Sequence, residues 1–185
     1  MKGKISLFLI CLLLPFVVFG QNNVCKYVDA SGLSIIGKVL PTSKPFTRLD
    51  TTVYKFNDKT IDSYAEHSTG IAILFRTNST NISAKWVTSN ANAGANMTAI
   101  VSKGLDLYIK DQGKWVFAGV GNPNMKKYPY NDHERLIVSN MTADVKECLL
   151  YLPLFDRVDS LAIGIDDDAF IDPMDNPFKY KIVFK

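Results

Sequence analysis

Short runs of alternating apolar and polar residues dominate the chain after residue 20. Each run has the length of one β-strand and ends at a cluster of Pro, Gly, Asn, Asp or Ser, and no stretch has a clear apolar stripe at the helical period. The predicted strands are 33–39, 51–56, 71–76, 81–87, 96–101, 105–110, 114–119, 134–139, 146–152, 160–165 and 179–184. Many short strands at close spacing are typical of two packed antiparallel sheets. We therefore predict an all-β fold, an antiparallel two-sheet sandwich.

Residues 104–117 carry the clearest local pattern, which predicts a β-hairpin. The first arm alternates apolar and charged residues, a polar turn contains Gly113, and an aromatic arm returns. Asp106 is expected on the face opposite Leu105 and Leu107, because successive side chains of a strand point to opposite faces. We expect this aspartate to serve as a hydrogen-bonding scaffold residue rather than a catalytic one.

The first 20 residues have the layout of a secretory signal peptide. Lys2 and Lys4 precede an apolar stretch over 5–19, and the small residue Gly20 follows it. The stretch is short for a membrane span, which needs about 20 residues. We therefore predict cleavage rather than an uncleaved anchor, and a secreted or periplasmic protein without a stable membrane span.

Two cysteines, Cys25 and Cys148, follow the predicted cleavage site. In an oxidising compartment a disulfide between them is one interpretation. Two separate thiols, with Cys148 buried as a small apolar residue, are the alternative. Both interpretations stay open, because the sequence does not show whether the two Cβ atoms meet.

The charge pattern argues against nucleic acid as a partner. The formal net charge is +3, from 21 basic and 18 acidic side chains. No run of Lys and Arg exists that could neutralise a row of phosphates.

Four segments, in this order, resemble the N-terminal β-sandwich domain of secreted SGNH (GDSL-like) hydrolases, which a Gly-x-Asp-Leu-Tyr signature defines. Segment 46–49 is similar to the family's Arg-Leu turn, 68–77 to its Ser-x-Gly strand, and 149–155 to its Tyr-Leu-Pro-Leu-Tyr strand end. The signature itself is formed by Gly104, Asp106, Leu107 and Tyr108.

This resemblance implies a jelly-roll-like sandwich over residues 21–178 and a catalytic domain that would open with a strand at 179–185. The serine-bearing turn, the oxyanion-hole Gly and Asn, and the Asp-x-x-His block have no counterpart in this sequence. The implied function is an accessory domain of a carbohydrate-directed esterase, with no catalytic residue, metal or cofactor of its own. Its implied partner is an SGNH catalytic domain, in the same chain or as a separate one.

The sequence gives weaker support to a catalytic histidine or a metal site. His67 and His133 have no nearby serine elbow, and we interpret them as a turn residue and a solvated loop residue. The acidic segment 166–175 has the oxygen ligands that Ca²⁺ prefers but lacks the EF-hand spacing, so a solvated linker is the simpler interpretation. We expect Trp115 to fill the core.

A long loop over 125–133 supplies the remaining candidates for binding. Tyr128, Tyr130 and His133 are predicted to contact a polysaccharide or a neighbouring domain, because aromatic rings beside polar groups suit sugars. Trp86 is a further candidate, with burial in the core as its alternative. These residues also support a second function, a free-standing carbohydrate-binding module.

Overall fold

The computed structural model describes residues 25–90 and 92–179. Within this part, ten strands, two short helices and one 3₁₀ turn at Ala30–Gly32 form the fold. The strands are β1 (Cys25–Asp29), β2 (Ser34–Ile36), β3 (Ala72–Thr77), β4 (Ile82–Thr88), β5 (Leu105–Asp111), β6 (Lys114–Gly121), β7 (Asp132–Val138), β8 (Lys146–Tyr151), β9 (Val158–Asp166) and β10 (Ile171–Pro173). The helices are α1 (Lys59–Glu66) and α2 (Ala99–Lys103).

The strands form two antiparallel sheets. Sheet A has the order β1-β9-β4-β7, and sheet B has the order β10-β3-β8-β5-β6, with β2 also paired to β3. The orders 1-9-4-7 and 3-8-5-6 are those of a jelly roll, an eight-stranded fold of two packed sheets. The predicted all-β sandwich is confirmed.

The core lies between the two sheets and follows the alternation of the strands. On β4, Ile82, Ala84 and Trp86 are buried, while Lys85 between them is exposed. Residues from β3, β5, β8 and β9 complete the same apolar cluster. Trp86 therefore belongs to the core rather than to a surface that could bind sugar.

The hairpin of β5 and β6 forms as predicted, but Trp115 lies outside the core. A register shift between Leu107 and Tyr108 leaves one extra residue in β6, so that Tyr108 pairs with Phe117 and Lys110 with Trp115. Because one extra residue reverses the facing of every later side chain, the Trp115 ring packs on the outer face of sheet B. The ring of Phe178 covers it at a centroid distance of 6.3 Å.

Two strand predictions are wrong because local capping selects helix or turn. Residues 51–56 form turns, and α1 follows them, with its N-cap Asp58 accepting a hydrogen bond from the Thr60 amide. Residues 96–101 run into α2, whose N-cap Thr98 accepts from the Val101 amide. Strands β1 and β10 were not expected from the sequence.

The predicted signal peptide over residues 1–20 and the predicted strand over 179–185, apart from Lys179, lie outside the described residues. Neither helix of the described part is long and apolar enough to cross a membrane.

Candidate functional site

A cavity of about 810 Å³ opens at one end of the sandwich. Segment 46–49 contributes Arg48 to its wall, segment 68–77 contributes Thr69, and segment 149–155 contributes Leu154 and Phe155. Ser102, two residues before the signature glycine, lies on the same wall. Three of the four segments that carry the family resemblance thus line one cavity, and the fourth, the signature, begins two residues after a lining residue.

Helix α1 and the loop after β4 form the other walls. Ser63 and Tyr64 project from α1 and His67 caps its C-terminus, while Asn90 and Asn92 come from the loop. The remaining lining residues are Ala93, Gly94 and Met97. The cavity therefore combines hydroxyls, amides and apolar side chains with one cation.

That cation, the guanidinium of Arg48, has no carboxylate partner within the described residues. Its Nη2 donates to the backbone oxygen of Tyr64 at 2.8 Å. The nearby acid Glu66 pairs instead with Arg157 and accepts a hydrogen bond from Thr51. Arg48 thus presents an uncompensated positive charge at the cavity wall.

His67 and Ser68 are adjacent but are not arranged for nucleophilic catalysis. The Ser68 hydroxyl is buried, donates to the Phe46 oxygen at 2.6 Å and accepts from the Val158 amide at 2.9 Å. Burial lowers the pKa of His67, whose ring packs on Tyr64 at 5.4 Å. No serine hydroxyl is hydrogen-bonded to this imidazole in the described part, and the pairing that activates a serine is missing there.

A buried ion pair supports the cavity wall. Lys103 Nζ lies 2.6 Å from Asp156 Oδ2, and both side chains are fully buried. Lys103 Nζ also donates to Thr88 Oγ1 at 3.0 Å and to the backbone oxygen of Asn90 at 2.6 Å. The three donors of the ammonium group are therefore all used.

Asp156 ties three walls of the cavity together. Its Oδ1 accepts from Ser89 Oγ at 2.8 Å and from Asn90 Nδ2 at 2.9 Å. Its backbone oxygen accepts from the Ser68 amide at 2.9 Å. Because Asp156 directly follows Phe155, the loop after β4, the turn before β3 and the end of β8 are held in one arrangement.

His133 is buried on β7, so its prediction as a solvated loop residue is wrong. Its Nδ1 accepts from the Asn124 amide at 3.1 Å, which leaves the proton on Nε2, 3.3 Å from Thr88 Oγ1. The ring also packs on Trp86 at 5.0 Å. Burial, and then the charge of Lys103, lower its pKa. His133 contacts the buried network rather than the surface on which a ligand would lie.

Tyr128 and Tyr130 stay at the surface. Tyr128 is 66% exposed, and its ring meets that of Tyr130 edge to face at 5.6 Å. Neither ring lines the cavity described above. The structure thus separates the three residues predicted as one contact site, and a contact role for the two tyrosines stays a prediction.

The two cysteines are free thiols on opposite sides of sheet A. Cys25 pairs with Asp166 on the outer face, whereas Cys148 on β8 is in the core between the sheets. Of the two interpretations that the sequence left open, the structure has the two separate thiols, because sheet A lies between the two sulfur atoms. Burial raises the pKa of Cys148 to about 12.

The family signature has two faces. Leu107 is in the core, whereas Asp106 is exposed on the opposite face, as alternation predicts. Tyr108 packs on the outer face of sheet B, edge to face with Phe117 at 5.7 Å and with Tyr151 at 5.8 Å. The structural role of the whole signature stays a prediction.

The acidic segment does not gather metal ligands. Among the described residues, no group of three or more His, Cys, Asp or Glu side chains could hold a metal ion. The Asp166 carboxylate accepts hydrogen bonds from Thr80 Oγ1 at 2.7 Å and from Asn81 Nδ2 at 2.8 Å. Burial alone would raise the pKa of Asp166, but these hydrogen bonds lower it to about 2.

Sequence reasoning missed Arg48 as a site residue and the pair of Lys103 and Asp156. The sequence did contain a signal for Arg48, because this residue lies in one of the four family-like segments. It contained no signal for the ion pair, because Lys103 follows a segment predicted as a strand and its partner Asp156 is 53 residues away.

Comparisons with known proteins agree with this placement. A family model described as the N-terminus of SGNH-hydrolase-type esterases, named for its GxDLY signature, matches residues 25–171. A candidate GDSL-like lipase from Bacteroides ovatus is 44% identical over 84% of this chain, with a TM-score of 0.78. Salicylyl-acyltransferase SsfX3, from a tetracycline biosynthetic pathway, is 13% identical over 82% of this chain, with a TM-score of 0.55, and shares the fold.

This chain spans only 44% and 42% of those two proteins. Among curated proteins the comparison finds no match. The family match covers most of the sequence and includes the signature and the strands that carry the cavity. The chain belongs to the GxDLY family, the N-terminal domain of SGNH-hydrolase-type esterases.

Proposed function

We propose that this chain is the exported accessory domain of a carbohydrate-directed SGNH esterase, and that its cavity borders the substrate cleft. The observation that carries the proposal is that three of the four family-like segments line one cavity, whose wall holds Arg48 without a carboxylate partner among the described residues. A domain that only braced a neighbour would need no cation there. The reacting serine belongs to the catalytic domain in this proposal, since Ser68 is buried and already hydrogen-bonded.

An esterase assay of the 185-residue chain tests the proposal that this domain does not itself catalyse ester hydrolysis. We expect no hydrolysis of 4-nitrophenyl acetate above the rate of matched Ser63→Ala and Ser102→Ala variants, which remove the hydroxyls of the cavity. Turnover that a serine-directed inhibitor blocks, and that one of these variants loses, would contradict it.

A protein that joins this domain to an SGNH catalytic domain tests the role of the cavity. Arg48→Gln is expected to lower kcat/KM on an acetylated polysaccharide by about tenfold, the loss of one charge-assisted hydrogen bond. Arg135→Gln, at an exposed position of β7 that does not line the cavity, is the control and should leave kcat/KM unchanged. If the two variants change kcat/KM equally, the cavity has no specific role in substrate binding, and the domain only supports the catalytic domain.

The exposed tyrosines favour a second candidate function, a free-standing carbohydrate-binding module. Tyr128 presents most of its ring to solvent, held by Tyr130. Retention of the chain on immobilised polysaccharide, reduced in Tyr128→Ala, would support this function. A chain that passes through a polysaccharide panel without retention would exclude it.

A further inference from the structure

The charge of the cavity favours an anionic ligand. Arg48 is the cation on its wall. Asp50, two residues further along the chain, accepts hydrogen bonds from Ser43 and Thr52 rather than from Arg48. Two other acids beside the cavity are paired with other cations, Glu66 with Arg157 and Asp156 with Lys103. Its guanidinium is held by the Tyr64 oxygen and keeps donors for a second acceptor. A planar fork of N–H donors is suited to a carboxylate.

The polar groups around Arg48 suit a ligand that carries hydroxyls. Ser63 and Asn92 line the cavity, and their side chains make no hydrogen bond to another described residue. An amide both donates and accepts, as does a hydroxyl, which matches the hydroxyls of a sugar ring. Both residues are exposed and therefore hydrated in the free protein, and a ligand with hydroxyls can replace that water with direct hydrogen bonds.

The apolar part of the wall suits the C–H face of a sugar ring. Tyr64, Leu154 and Phe155 are 59%, 48% and 43% exposed, respectively, and all three border the cavity. Aromatic rings offer flat apolar contact of this kind at low conformational cost. The cavity volume of about 810 Å³ lies within the usual range for small-molecule sites and exceeds what one monosaccharide needs.

We propose that this cavity binds a uronic acid residue of a polysaccharide, with the carboxylate on Arg48 and the ring between Tyr64 and Phe155. The inference rests on the proposed carbohydrate direction and narrows it to acidic polysaccharides. The hydroxyls of the bound sugar then lie within reach of Ser63 and Asn92.

Titration of the 185-residue chain with trigalacturonate, followed by isothermal calorimetry, tests the proposal. We expect trigalacturonate to bind at least about tenfold more tightly than neutral galactotriose, the difference made by one charge-assisted pair. Arg48→Gln should remove that difference, and Arg135→Gln should change the affinity for trigalacturonate by less than about twofold.

A second variant, Asn92→Asp, tests the proposal even if Arg48→Gln fails to fold. Asn92 is exposed and outside the hydrogen bonds of the fold, so Asn92→Asp should leave the unfolding temperature unchanged while its charge weakens trigalacturonate binding. Equal affinity for the two sugars, full affinity in Arg48→Gln, or no binding at about 10 mM trigalacturonate would overturn the inference. The hydrolysis assay above decides the non-catalytic role separately.

Discussion

Lys103 and Asp156 form an ion pair of 2.6 Å in which neither side chain is exposed to solvent. Removing two charges from water is costly, and only further hydrogen bonds make such a pair tolerable. Here the ammonium has three acceptors, and the carboxylate accepts from Ser89 and Asn90 as well. Through these bonds the pair links the loop after β4, which carries Asn90, to the segment between β8 and β9, which carries Asp156.

Breaking this pair should be strongly destabilising. Lys103→Met leaves a buried carboxylate without its cation, and we expect the free energy of unfolding to fall by about 3–5 kcal/mol. Urea denaturation measures the change. Lys85→Met is the matched control, since Lys85 and Glu134 are 3.4 Å apart with 48% and 60% of their side chains exposed, and exposed pairs contribute about 0–1 kcal/mol. Equal losses in the two variants would show that burial does not set the cost.

Acidification should destabilise the fold through its buried histidines. Burial lowers the pKa of both His67 and His133 from the ordinary 6.5, so the unfolded chain binds more protons than the folded one near that pH. Their stabilising contribution is therefore complete above about pH 6.5 and is lost as the pH falls through the folded pKa.

Urea denaturation at about pH 7.5 and about pH 5.5 measures this loss, which is at most about 1.4 kcal/mol per histidine and pH unit. The loss should be smaller in His133→Gln, which cannot take up the proton. Asp166, with its pKa near 2, keeps its charge over this window and does not contribute. An identical pH dependence in wild type and variant would exclude His133 as a source.

The glycine of the signature, Gly104, is required because the backbone of helix α2 approaches it closely. A Cβ at position 104 would lie 2.3 Å from the backbone oxygen of Ile100, which also accepts the Gly104 amide at 2.9 Å. Gly104→Ala must shift the last turn of α2, and we expect a loss of about 1–3 kcal/mol, as for other overpacked sites. Thermal unfolding monitors it. Gly32→Ala, with no atom within 4 Å of its Cβ, is the control and should be nearly neutral.

The two thiols should react at very different rates. Cys148 is buried with its pKa raised to about 12. Burial also raises the pKa of Cys25, but this thiol is partly exposed at the edge of sheet A and can be reached by a reagent. Since the thiolate is the reactive form, iodoacetamide at about pH 8 should label Cys25 in the folded protein and Cys148 only after unfolding. Peptide mass spectrometry identifies the sites. Protection of both thiols until a reductant is added would instead indicate the disulfide that the structure lacks.

Local alternation predicted eight of the ten strands, β2 to β9. The hairpin of β5 and β6 and the two faces of Asp106 and Leu107 follow from spacing alone, since the pleat has a period of two residues. The side on which Trp115 lies did not follow, because one extra residue in β6 reverses it. Helix α2 was missed because five residues stabilised by one cap give too short a pattern for helical periodicity.

The candidate site depended on contacts between distant parts of the chain. The family-like segments marked where Arg48 lies, but the sequence held no indication that Lys103 and Asp156 would meet. For His133, flanking charged residues suggested solvent, whereas its place on β7 beside Trp86 makes it a buried residue.

The amino-acid sequence by itself determined the all-β class, most strand positions and the family, because these depend on spacing between near neighbours and on a short signature. Tertiary structure alone decided that three of the four resembling segments line one cavity, that two cysteines lie on opposite sides of a sheet, and that a lysine and an aspartate share the interior. The physical reason is range: strand periodicity is set within a few residues, whereas pairing and burial are set by which strands the jelly roll brings together.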